Sequence, residues 1–132
     1  MKDYSTDGRK RILVVENESE ISLFIPEILS GKAVEIDVAH DGEMAEKLLQ
    51  ERDYALCIID LRTLMAKDKQ LYRYMNEKYP NLINGAIFTT GDVVAGDAKI
   101  FMEQAGRLFL HKPFAPEWLK EMVINALAQV GR

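Results

Sequence analysis

Five times over, a short apolar run is followed by a longer segment of helical period, and this alternation constrains the fold more than any other feature of the chain. The runs are Arg11–Val15, Val34–Ala39, Ala55–Ile59, Ala86–Thr89 and Leu108–Leu110. Behind the first run, Ile21, Phe24, Ile25, Ile28 and Leu29 recur at the spacing of one helix face. An interior proline costs a helix about 3 kcal/mol, so Pro26 predicts a kink or a shortened first helix. Asp41 reads as the N-cap of a second helix carrying Met44, Ala45, Leu48 and Leu49. Leu71 and Met75, with Tyr72 or Tyr79, mark a third helix closed by Pro80-Asn81. Ile100, Phe101 and Met102 belong to a fourth that stops at Gly106, a natural C-cap. Pro116 opens a final helix with the stripe Leu119, Met122, Val123, Ala126, Leu127 and Val130. Repeated strand–helix units cross over right-handedly, so the expected fold is α/β: a five-stranded parallel sheet with helices on both faces, doubly wound. Residues 1–9 read as a loose tail and residues 10–132 as one domain.

Composition narrows what such a domain can do. Seventeen basic against 21 acidic side chains give a net charge of −4, whereas a nucleic-acid-binding domain usually carries a basic excess. Cys57 is the only cysteine, which excludes an intrachain disulfide framework and fits a reducing cytoplasm. No apolar run approaches the roughly 20 residues that would span a bilayer, and Met1–Arg11 has charges with no apolar stretch behind them, unlike a signal peptide.

In an open parallel sheet, chemistry gathers beyond the carboxyl ends of the strands. Glu16 and Asn17 follow the first run, Asp60 ends the third, Thr90 the fourth, and Lys112 follows the fifth. Carboxylates favour a hard cation such as Mg²⁺. An ammonium and a hydroxyl suit phosphoryl oxygens.

Four pieces in order, ILVVENE, CIIDL, FTTGD and FLHKPF, resemble the receiver domain of two-component response regulators over about residues 11–130. The resemblance implies a (βα)5, flavodoxin-like or CheY-like fold. It also implies that Asp60 accepts a phosphoryl group from the phosphohistidine of a histidine kinase or phosphotransfer protein, with Mg²⁺ as cofactor. Glu16 matches the first acidic metal ligand. Asn17 stands where the family has a second aspartate, but its spacing to Glu20 is that of a capping box, so N-capping is its first reading and ligation its second. Thr90 matches the hydroxyl that contacts the phosphoryl group, with Thr89 as rival, because the family places a small residue next and Gly91 follows Thr90. Lys112 matches the lysine that pairs with phosphoryl oxygens, and the bond to Pro113 is typically cis. Phe109 matches the aromatic switch position. In the family a backbone carbonyl two residues after the aspartate contacts the metal, which is Arg62 here. Arg62 and Asp92 would flank the site mouth with opposite charges and obstruct hydrolytic water. His40 and His111 read as exposed strand-end residues and Cys57 as inert core.

The resemblance further implies switching of the face shared by the fourth helix, the fifth strand and the fifth helix, a surface for a homodimer or an output domain. The run from Asp60 through Leu71-Tyr72, with FTTGD, is most similar to receivers fused to hybrid sensor kinases. The chain would not itself be an enzyme, and any output activity would lie outside it. Leu61 to Asp68 lacks the usual Pro- and Gly-containing loop. With Asn17, this supports the alternative of a degenerate pseudo-receiver that binds proteins without phosphorylation. A nucleotide-binding enzyme ranks last: neither G-x-G-x-x-G nor G-x-x-x-x-G-K-[ST] follows a strand, and Glu16-Asn17-Glu18-Ser19-Glu20 would repel phosphate. Aspartate-nucleophile phosphatases place their aspartate after strand one, where this chain has Glu16.

Overall fold

Where apolar and β-branched residues run without interruption, the chain is extended and buried on both faces. The computed structural model describes residues 10–31, 33–91, 96–104 and 106–130. In chain order the elements are β1 (Lys10–Val15), α1 (Ser19–Leu29), β2 (Val34–Ala39), α2 (Gly42–Glu51), β3 (Leu56–Asp60), α3 (Leu61–Lys78), α4 (Pro80–Asn84), β4 (Ile87–Thr90), α5 (Asp97–Glu103), β5 (Leu108–His111) and α6 (Pro116–Val130). The strands form one parallel sheet in the order β2-β1-β3-β4-β5.

Alternation along each strand splits the core in two. Leu13, Val15, Cys57, Ile59 and Phe88 face Ala45, Leu49, Leu71, Met75 and Phe101 of α2, α3 and α5. Ile12, Val14, Ile58, Ile87 and Leu110 face Ile25, Leu29, Leu119 and Val123 of α1 and α6. The central strands β1 and β3 are buried along nearly their whole length, while the edge strands are partly exposed, so the apolar runs of the sequence mark the middle of the sheet.

Several local expectations need correction. Helix α1 is not shortened at Pro26 but continues to Leu29, because Ile28 and Leu29 beyond the proline are buried in the core. Asn17 does not cap it: the N-cap is Glu18 and no side chain caps that end, since the helix starts one residue later than the capping-box spacing needs. The third helix begins directly at Leu61 rather than near Leu71. Its first turn is separated from the rest by residues 66–69, of which Lys67, Asp68 and Lys69 adopt left-handed φ of 53°, 56° and 62°. Such backbone costs of order 1–3 kcal/mol per non-glycine residue; an exposed ion pair from Lys67 to Glu43 at 3.0 Å and one from Arg73 to Asp68 at 3.3 Å accompany it. Pro80 does more than end a helix: it takes the first turn of α4, an extra helix. The face expected around the fourth and fifth helices is therefore α5-β5-α6. Helix α5 ends at Glu103, with the extended Gln104 as its C-cap, and Gly106 (φ +85°) lies beyond the cap instead of forming it. Asp41 does cap α2, its carboxylate accepting the Met44 N–H at 2.8 Å. The tail at residues 1–9, Asp92 and the side chain of Val130 lie outside the described residues.

Candidate functional site

Of the polar residues predicted at strand ends, Glu16, Asp60 and Lys112 meet at the carboxyl edge of the sheet. Parallel pairing sets Val15 beside Ile59 and Asp60 beside Thr89, which brings Glu16, the residue after β1, next to the end of β3. Glu16 and Asp60 are 1% and 5% exposed, so both carboxylates sit where water reaches them poorly. Lys112 arrives from beyond β5, its backbone N–H donating to the Thr90 carbonyl at 2.7 Å and continuing the ladder. Its stem passes over Gly91, where an added Cβ would lie 3.4 Å from Lys112 Cδ. A small residue after Thr90 thus leaves the lysine a path. The Lys112–Pro113 peptide is cis, as the resemblance implied.

The Lys112 ammonium lies 2.8 Å from Glu16 Oε1, 3.0 Å from Glu18 Oε1 and 3.0 Å from Asp60 Oδ1. Glu18 is the member that sequence reasoning did not place. It stands 94 residues from its partner, and its only signal was membership of an acidic run. Burial pushes the Glu16 carboxyl above its ordinary value; Lys112 draws it down and the Asp60 charge adds to the rise. Burial would lower the Lys112 ammonium, but hydrogen bonds to Glu16, Glu18 and Asp60 outweigh it and leave it raised. Asp60 is also the N-cap of α3, its Oδ2 accepting the Thr63 N–H at 3.2 Å and the Thr63 hydroxyl at 3.1 Å.

One oxygen from each of Glu16, Glu18 and Asp60 lies within 4.8 Å of the other two. Three carboxylates around one ammonium leave excess negative charge, and an all-oxygen set is what Mg²⁺ prefers. The donor set therefore fits the cation. Asn17 is exposed and lines a separate cleft of about 210 Å³ with His40, Glu43, Arg62 and Lys67. Arg62 stands in the first turn of α3.

Thr90 is buried at the end of β4, and so is its rival Thr89, whose hydroxyl has no hydrogen-bond partner among the described residues. Phe109 is half-buried, with ring centroids 5.3 Å from Phe88 and 6.2 Å from Phe101. The Arg107 guanidinium stacks 4.0 Å from the Phe101 centroid on the same cluster. Burial pushes the Cys57 thiol up, away from thiolate reactivity. His111 and His40 are exposed.

A doubly wound parallel sheet with an acidic cleft and a lysine at its carboxyl edge defines a receiver-type α/β domain. Residues 12–124 match the response regulator receiver domain, and the chain belongs to that family. It is thus a receiver domain of two-component signal transduction. The response regulator protein PilR of Pseudomonas aeruginosa is 27% identical over 121 residues, covering 91% of this chain and 26% of that protein. The chain spans about a quarter of this relative's length. Among solved structures, a CheY-like response regulator receiver domain protein from Methanospirillum hungatei superposes with a TM-score of 0.79 at 21% identity, covering 94% of this chain and 98% of that one. The signal receiver domain of an HD domain-containing protein from Pseudomonas fluorescens gives a TM-score of 0.78 at 23% identity, covering 93% and 98%. Among the described residues no helix is long and apolar enough to cross a membrane.

Proposed function

We propose that the chain is a phosphoacceptor switch in which Asp60 takes a phosphoryl group from a phosphohistidine of a histidine kinase or phosphotransfer protein, in the cytoplasm. The observation that carries this reading is the meeting of Glu16, Glu18 and Asp60 within 3.0 Å of the Lys112 ammonium at the end of β3. Glu16, Asp60 and Glu18 would hold Mg²⁺, with Asn17 a neutral neighbour in the sequence. Bound there, the metal would offset the negative charge that gathers at the carboxylates on phosphorylation. Lys112 is positioned to exchange its carboxylate partners for phosphoryl oxygens, and Thr90 ends the adjoining strand with a hydroxyl for the same group.

Phosphorylation adds about −1.5 to −2 charge. That charge draws Lys112 and Thr90, and Phe109 lies one strand position from Leu110 and two from His111, which pairs with Thr90. The readout is then repacking of Phe109 against Phe88 and Phe101, presented on α5-β5-α6 to a second copy or an output domain. A pseudo-receiver remains the second reading, favoured by Asn17 and by the full engagement of Asp60 with Lys112 and Thr63. Incubation with acetyl phosphate and Mg²⁺, followed by intact mass, separates the two. The first reading expects one added phosphoryl group that Asp60→Asn abolishes. A folded protein of unchanged mass at millimolar donor decides for the second.

A further inference from the structure

The geometry points to Thr63 as a positioning residue that favours the unphosphorylated form of Asp60 and shortens the life of its acyl phosphate; the inference rests on Asp60 being the phosphoacceptor. Asp60 ends β3 and caps α3 at once. Its Oδ2 accepts both the Thr63 N–H at 3.2 Å and the Thr63 hydroxyl at 3.1 Å, while Oδ1 accepts the Lys112 ammonium at 3.0 Å. Thr63 and Asp60 are 9% and 5% exposed, so these bonds form in low dielectric, which strengthens them. Both Thr63 donors thus converge on Oδ2. Oδ1 is left facing Lys112 and is assigned as the nucleophile.

With acetyl phosphate, Oδ1 forms a bond to phosphorus as the bond from phosphorus to the acetyl oxygen breaks. The electron pair leaves on acetate and no proton moves. Asp60 is then a mixed anhydride: Oδ1 bridges to phosphorus and Oδ2 is an uncharged carbonyl oxygen. Hydrogen bonds to an ionised partner are about twice as strong as those to a neutral one. The Thr63 donors therefore stabilise the carboxylate more than the anhydride. In hydrolysis a water oxygen bonds to phosphorus, the Oδ1–P bond breaks with its electron pair returning to Asp60, and the water's protons go to phosphate and solvent. The negative charge reappears on the carboxylate, and Thr63 stabilises it as it forms. The hydroxyl thus opposes loading and favours unloading.

Thr63→Val removes the hydroxyl and keeps the shape, and Thr63→Ser restores the hydroxyl. Each protein is loaded with acetyl phosphate and Mg²⁺, freed of donor, and followed by intact mass. The expected decay is about tenfold slower in Thr63→Val, which is 1.36 kcal/mol of barrier, with Thr63→Ser close to the parent. Loosened packing would speed decay instead and would not be rescued by serine. Thr63→Ala serves as the deletion variant if valine prevents folding. Equal decay rates, or serine behaving as valine does, overturn the role of Thr63 and leave the phosphoacceptor reading standing. Loading of Thr63→Val with none of the parent supports the restraint. No loading in any of them overturns both.

Discussion

Replacing Lys112 with methionine keeps the stem over Gly91 and removes the ammonium bonded to Glu16, Glu18 and Asp60. Each contact, at 2.8, 3.0 and 3.0 Å, has a gross attraction of roughly 5–6 kcal/mol at an effective dielectric near 20. Desolvation of the ammonium and repulsion among the carboxylates offset most of it. What remains is the cost of leaving buried carboxylates without their partner, about 3–5 kcal/mol, out of a stability of roughly 5–15 kcal/mol. Urea titration followed by circular dichroism should show a midpoint lowered by about 1–3 M with an unchanged slope, for a slope near 2 kcal/mol/M. The loss should depend on pH with a defined sign. Burial holds the folded-state pKa of Glu16 above its ordinary value of 4.5, so its contribution is fully present below pH 4.5 and is lost as pH rises through the folded value. Without Lys112 to draw that carboxyl down, the window widens upward, and the variant should regain stability on acidification toward pH 4.5. The parent carries the opposite edge: Lys112 is raised above 10.5, so its contribution is present below that pH and is lost as pH climbs through the folded value. A loss under about 1 kcal/mol, typical of exposed pairs, or a loss that grows on acidification, would refute the reasoning.

Asp41→Ala should cost about 1 kcal/mol in the same titration, since its carboxylate holds the Met44 N–H at 2.8 Å; an unchanged midpoint would show the cap to be idle. Thr89→Val should raise stability by about 1 kcal/mol, because the buried hydroxyl has no partner among the described residues; a loss would mean that the hydroxyl is paired in solution. Asn17→Asp adds a carboxylate next in sequence to Glu16 and should tighten Mg²⁺ in calorimetric titration, whereas Glu18→Gln should weaken it. Equal affinities for all three proteins would remove both residues from the metal's surroundings.

The strands and most of the cleft were legible because they obey short-range rules. Apolar runs ending in polar residues place Glu16, Asp60, Thr90 and Lys112 toward the carboxyl edge, and the family resemblance chose Thr90 over Thr89. Glu18 was not legible, because its partner is 94 residues away and only the parallel register brings β1 and β5 ends to a common cleft. The turn after Asp60 was misjudged for a different reason. Absence of proline and glycine from Leu61 to Asp68 signalled an altered loop, yet the three-residue interval from Asp60 to Thr63 is the same one that makes Asp41 a cap for Met44. A signal was therefore present in the spacing. The left-handed run at Lys67, Asp68 and Lys69 had none, since no glycine marks it. Its cost is met by tertiary structure: Leu61 and Leu64 are buried ahead of it and Leu71 and Met75 behind it, and both ends must reach the same core. Those positions lie 3, 7 and 4 residues apart, the spacing of one helix face, so the buried pattern alone does not call for the break at residues 66–69. What the spacing does explain is the start of α3: the Asp60 carboxylate accepts the Thr63 N–H, which sets a helix N-terminus directly on the residue proposed to carry the chemistry.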